Sequence, residues 1–220
     1  WVPCWLFQPL KPRKTDEVLV VLDAGGRNAR WGEGALCHEL AAAGIAVVAA
    51  DLRGVGDLTA EAGRGATRYT IPHADEHNYA WASLILGQSL LGQRVVDLLS
   101  VVKTLGPAKV RVAAQGRMTV PALFAAAMDK RIEHLYIAGG LASYQHLLDA
   151  EEYPHPFANF IPRVLLHTDL PQVAAGVRLT IGGAVDGAGK ALPVGDVSKL
   201  YAKATVHADA AWTVARLSGL

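Results

Sequence analysis

The segment EVLVVLDAGG at residues 17–26 is apolar at almost every position and closes on two glycines. A strand that shows water one face alternates apolar and polar side chains, so an unbroken run belongs to a strand covered on both faces, the usual state in a parallel sheet. EGALCHELAAAG (33–44) then follows helical spacing and stops at Gly44, and IAVVAADLRGVGD returns as a second buried run that ends at Asp51 in a glycine-broken loop. Strand, helix and strand in this order make a βαβ unit with a right-handed crossover. An α/β domain with a mostly parallel central sheet flanked by helices is therefore expected.

The rest of the chain continues the alternation. Residues 57–78 are rich in Gly, Thr, Arg and His without any period and are expected to form a surface loop at the carboxyl edge of the sheet. NYAWASLILGQSLLGQRVVDLLSVVKTLG reads as helix interrupted near Gly87 and Gly92. AKVRVAAQGRMTVPALFAAAMD (108–129) reads as a buried strand, a tight turn at Gln115-Gly116-Arg117 and a helix, and IEHLYIAGG as a further strand. Residues 141–175, with Pro154, Pro156, Pro162 and Pro171, form an irregular excursion with short helices. VRLTIGG and KATVH supply two last strands around a helix near 196–202.

At 220 residues one such domain is an ordinary size, and a chain that is 51% hydrophobic and 19% charged can bury a substantial core. Lys and Arg number 21 against 20 Asp and Glu, with no long block of either sign, so nucleic acid and anionic membrane surfaces are not expected as partners. Cys4 and Cys37 are too few for a disulfide framework and lack metal-like spacing. Trp1, Trp5 and Phe7 crowd a start that lacks an initiator Met, which points to a piece of a longer polypeptide with a surface that packs against its own sheet or a neighbouring domain.

Two resemblances compete for residues 18–54. Strand, glycines, helix, strand and Asp51 resemble the opening of a short-chain dehydrogenase, in which the acid would bind an adenosine ribose. A dinucleotide loop needs closely spaced glycines, however, and here Gly25 and Gly26 are separated from Gly32 and Gly34 by Arg27, Arg30 and Trp31 among others. No Tyr-x-x-x-Lys pair is present. The second resemblance covers nearly the whole chain: VVLDAGG, VVAADLRGVGD, LGQSLLGQRVVDLLSVVKTLG, VRVAAQGRMTVPALFAAAMDKRI and IGGAVDGAGKAL are similar to successive landmarks of the α/β-hydrolase superfamily, nearest to its acetyl xylan esterase and dienelactone-hydrolase-like branch.

That resemblance implies a nucleophile in Gly-x-Ser-x-Gly on a strained strand-to-helix turn. Here Ala114, Gly116 and Met118 occupy the first glycine, the serine and the last glycine. Glycine carries no oxygen, so covalent catalysis of the serine type cannot start from this position. Ser89 follows helical periodicity and is expected to be an ordinary helix residue, and the hydroxyl of Thr119 to bond backbone. By the superfamily's order of nucleophile, acid and base, Asp186 after VRLTIGGAV and His207 after KATV would be relics of the acid and base, and the amides of Arg117 and Gly26 would form the oxyanion hole. His73, Asp75, Glu76 and His77 mix metal-ligand types, but Pro72 starts a turn and the segment is expected to be a solvated loop with no metal. No cofactor is expected.

The resemblance and the missing serine together imply a degenerate, non-catalytic domain accompanying an esterase of the acetyl xylan type, with a carbohydrate ester as a possible ligand and a secreted or periplasmic location. The competing expectations are an active carboxylic ester hydrolase, with its nucleophile elsewhere or a water activated by His207, and a Rossmann-type nicotinamide-binding protein.

Overall fold

A computed structural model describes residues 1–12, 16–60 and 74–220. Seven strands form one sheet in the order β1-β3-β2-β4-β5-β6-β7: β1 Cys4–Phe7, β2 Glu17–Leu22, β3 Ala46–Ala50, β4 Lys109–Gln115, β5 Ile132–Ala138, β6 Leu179–Gly182 and β7 Thr205–His207. Every neighbouring pair is parallel except β1, which runs antiparallel along β3. The helices are α1 Leu36–Ala42, α2 Ala74–Ile85, α3 Leu90–Thr104, α4 Thr119–Met128, α5 Gln145–Leu148, α6 Leu170–Val173, α7 Val194–Leu200 and α8 Val214–Ser218.

The unbroken apolar run of β2 has the predicted cause. Leu19 and Val21 point to one face, where they join Leu36 and Leu40 of α1 and Leu217 of α8. Val20 and Leu22 point to the other, against Leu98 and Val102 of α3 and Leu123 of α4. Successive side chains on a strand face opposite ways, so a sheet covered on both sides needs apolar residues at every position.

From β2 the chain moves outward to β3, then returns to place β4 on the other side of β2. The reversal opens a crevice above the carboxyl ends of β2 and β4, the place where open α/β sheets bind ligands.

Some expectations change. Within the segment expected to be a loop, residues from Ala74 onward belong to α2, so Asp75, Glu76 and His77 are helical; His73 lies outside the described residues. The helical stretch after it breaks at residues 86–89, where Ser89 caps α3 by accepting a hydrogen bond from the Gly92 amide at 3.0 Å. Among the described residues no single helix is long and apolar enough to cross a membrane. Cys4 and Cys37 are both free thiols.

His134 sits inside β5 with only 7% of its surface exposed, its Nε2 2.9 Å from Thr180 Oγ1 and its Nδ1 without a partner among the described residues. Burial, reinforced by the positive charges of Arg178 and Arg111, pushes its pKa from 6.5 down to about 4. The folded chain thus binds this proton less readily than the unfolded chain. The stability held above pH 6.5 should fall as pH drops from about 6.5 towards 4. Urea unfolding across that window should show the decline in the wild type, and His134→Gln should lack the histidine's share of it.

Candidate functional site

The strand-to-helix turn after β4 has the form expected of a nucleophile elbow. Gln115 ends the strand in extended backbone, Gly116 turns with φ at 56°, and a short turn at Gly116–Met118 leads into α4. A positive φ of this size strains most side chains, whereas glycine adopts it freely. A Cβ built on Gly116 would meet only Ala24 Cβ, at 3.6 Å, an ordinary contact. The Thr119 hydroxyl donates to the Gly116 carbonyl at 2.8 Å, closing the turn as expected.

A cavity of about 510 Å3 opens over this apex. Its floor comes from the carboxyl ends of four strands: Ala24 after β2, Gly116 and Arg117 after β4, Gly139 and Leu141 after β5, and Val185 after β6. The proline-rich excursion supplies another wall through Pro154, His155, Pro156, Asn159 and Phe160.

Beside the cavity lies a buried ion cluster that the sequence did not disclose. Glu76 on α2 accepts from Arg94 Nη2 at 2.5 Å and from Arg117 Nη1 at 2.9 Å. Arg94 is completely buried, with its Nε donating to the Arg53 carbonyl at 2.9 Å and its Nη1 3.4 Å from Asn159 Oδ1. Burial lowers the Arg94 pKa, Glu76 opposes that shift, and Arg117 adds to it. Arg117 also donates from Nη2 to the Ala24 carbonyl at 2.9 Å, and its own carbonyl accepts from Asn159 Nδ2 at 2.7 Å. Arg94 lies on the same stripe of α3 as Leu91, Val95, Leu98 and Val102; a charged residue at a core-facing position was the available signal.

The expected acid and base are not brought to the apex. Asp186 Oδ1 accepts from the amides of Ala188 and Lys190 at 2.9 and 2.8 Å, fastening its own turn. His207 pairs with Gly182, which pairs with Ala138, which pairs with Gln115. That row sets His207 three strand spacings, about 14 Å, from the strand position preceding the apex. Among the described residues no hydrogen bond joins Asp186 to His207, and neither residue lines the cavity. The Gly26 amide is committed to the Asp23 carbonyl at 3.0 Å, and Ala24 lines the cavity in its place. The histidine that does line it is His155, whose Nε2 lies 2.9 Å from the Asp186 carbonyl oxygen. A carbonyl only accepts, so Nε2 holds the proton and Nδ1 of the neutral ring is left with its lone pair.

Asp51, which the dehydrogenase resemblance would place against a ribose, is wholly buried. It accepts from the Arg27 amide and guanidinium, each at 2.5 Å, and from the Asp57 amide at 3.0 Å. A Cβ on Gly56 would collide with its carboxylate, and one on Gly26 would stand 2.7 Å from it. The carboxylate thus binds its own loops and has no face left for a nucleotide. Among the described residues no group of three or more His, Cys, Asp or Glu could hold a metal ion.

No protein-family model and no curated protein matches the chain. Solved structures do. An α/β hydrolase, GrgF from Penicillium sp. sh18, superposes with a TM-score of 0.51 over 94% of this chain and 83% of its own at 14% identity. The chain has the α/β-hydrolase fold. Other structures with this α/β-hydrolase likeness include a Bacteroides fragilis protein assigned as an acetyl xylan esterase, at a TM-score of 0.65 and 15% identity over 92% of this chain, and the ferulic-acid-bound Est1E of Butyrivibrio proteoclasticus, at 0.58 and 14% over 99% of this chain and 91% of its own. The chain spans 61% of the length of the Bacteroides protein.

The ion cluster makes an ordered set of stabilities. Glu76→Ala strands the buried guanidinium of Arg94 and the partly buried one of Arg117 and should cost about 3–5 kcal/mol. Arg117→Ala leaves the Glu76–Arg94 pair intact and removes a side chain that is 25% exposed, so it should cost less. Glu76→Met combined with Arg94→Met should recover part of the loss, because an uncharged pair leaves no stranded charge between them. Urea denaturation of the three variants checks the order.

Proposed function

We propose that this chain is a non-hydrolytic α/β-hydrolase-fold domain, derived from a carbohydrate ester hydrolase of the acetyl xylan type and working beside a catalytic esterase domain. The glycine at the apex of the elbow carries the reading. The turn, the cavity and the helix behind it resemble those of an acyl-transfer site, and Gly116, at the position the resemblance assigns to the serine, has no side chain. The esterase neighbours support the ancestry at the level of fold.

The partner side of the proposal is supported by the edge of the sheet. Strand β1 leaves Leu6 58% exposed and Trp5 39% exposed, and Trp1 and Leu10 at its ends are bare. An edge strand with apolar side chains facing water is a surface suited to being covered by another domain. Asp186 and His207 enter the proposal only as strand-end relics, with no role in turnover.

A second reading is favoured by one observation. His155 lines the cavity with Nε2 2.9 Å from the Asp186 carbonyl oxygen, and a neutral ring held so, with its proton on Nε2, can draw a proton through Nδ1 from water attacking an ester. It competes with the first in a single assay.

Purified chain incubated with aryl acetates should show little turnover, at most the roughly 10³- to 10⁴-fold enhancement over water that binding and backbone donors leave when a triad is disabled. His155→Ala, His207→Ala and Ser89→Ala should each leave that baseline unchanged, and mass spectrometry after an activated ester should show no acyl adduct. Gly116→Ser alone should stay near the same baseline, since neither Asp186 nor His207 lines the cavity to activate the new hydroxyl. Vigorous hydrolysis abolished by His155→Ala would establish the water-activating enzyme instead.

A further inference from the structure

Among the described residues, the cavity over Gly116 has a charge that its own walls do not balance. Arg94 and Arg117 share the single carboxylate of Glu76, which leaves one positive charge in excess within a cluster whose three side chains are 0%, 25% and 6% exposed. Three described arginines near the carboxyl edge have acids of their own: Arg30 has Asp23, Arg53 has Asp97, and Arg27 has Asp51 together with Asp57, the last of which is 55% exposed and faces water. Poor screening at a site withdrawn from solvent makes an excess charge costly unless a counter-charge arrives.

The donors at the cavity wall are likewise not all used. A guanidinium has five N–H bonds. Arg117 directs one to Glu76 and one to the Ala24 carbonyl, and its Nε, buried from solvent, has no partner among the described residues. This arginine lines the cavity directly beside Gly116, where the missing side chain leaves room. The same lining includes Val120, Leu141, Pro156, Phe160 and Val185, an apolar majority beside the polar Thr119, His155 and Asn159. At about 510 Å3 the space falls within the range of small-molecule sites.

We propose that this cavity binds a small organic monocarboxylate, the free acid rather than its ester, with the carboxylate at Arg117 and a compact apolar body against the apolar lining. Resting on the non-hydrolytic reading above, the inference names what such a domain would hold: the acid released by an ester hydrolase. A neutral ester offers no charge to offset the excess on the arginine pair, whereas a carboxylate does, and an arginine is well shaped for its two oxygens.

Benzoate and methyl benzoate at matched ionic strength are suitable probes, titrated calorimetrically into the intact chain. Benzoate should bind at least tenfold more tightly than the ester and should raise the melting temperature progressively as its concentration rises above the dissociation constant. Arg117→Gln should weaken benzoate at least tenfold while leaving the ester unchanged, and Glu76→Gln, which enlarges the positive excess, should tighten it. If either variant fails to fold, the comparison of acid with ester on the wild type still decides. Equal binding of the two, binding of the ester alone, no binding of either, or a folded Arg117→Gln that holds benzoate as well as the wild type would each overturn the proposal. Turnover of aryl acetates is measured separately, so an active enzyme would defeat the non-hydrolytic reading without being mistaken for a failure of carboxylate binding.

Discussion

One carboxylate, that of Glu76, ties together the loops at the carboxyl edge of the sheet. It holds α2 to α3 through Arg94 and α2 to the elbow through Arg117. From those two guanidinium groups the connections extend to the Arg53 carbonyl after β3, the Ala24 carbonyl after β2 and, through Asn159, the proline-rich excursion. Helix α3 packs on the sheet through Leu98 and Val102, but the loops tied to it are irregular backbone. Their positions depend on charge-assisted hydrogen bonds, which are directional and therefore set geometry more sharply than hydrophobic contact. The cavity has its shape because this network fixes three of its walls at once.

A second buried acid organises the other half of the same edge. Asp51 stands at the end of β3 and gathers the amides and guanidinium of two loops, with Gly26 and Gly56 pressed so close that neither tolerates a Cβ. Beside it Arg27 lies over the Trp5 ring at 5.2 Å, and Trp5 stacks on Trp31 with centroids 5.6 Å apart. The chain of contacts thus runs from a buried charge to the exposed aromatic surface along β1. An acid after the second strand of a βαβ unit resembles a ribose ligand in sequence, and in the folded chain it serves as an internal anchor.

What the sequence discloses and conceals follows from the range of the interactions. The apolar runs of β2, β3 and β4 reveal a sheet covered on both faces, because burial acts on every residue of the strand. The elbow at 115–117 is legible for the same local reason, a strand, a glycine and a helix in immediate succession. The Glu76 cluster was hidden because its partners lie 18 and 41 residues away, and because the segment following Pro72 resembles a solvated loop. Only Arg94, a charge on an apolar helical stripe, signalled it. His155 escaped notice for a related reason: it comes from the excursion and meets Asp186 from 31 residues away, against the chain order in which a base follows its acid. Asp186, conversely, does follow a strand, β6, but its side chain satisfies the amides of its own turn.

The dihedral angle at Gly116 has a consequence for stability. A φ of 56° is a conformation that a serine would hold only under strain, of about 1 kcal/mol or more, whereas glycine adopts it freely. Any side chain placed at this apex would therefore have to be held there by the packing of the strand before it and the helix after it. With glycine the same backbone stands without that cost, and the sharpness of the turn makes no demand on the rest of the fold.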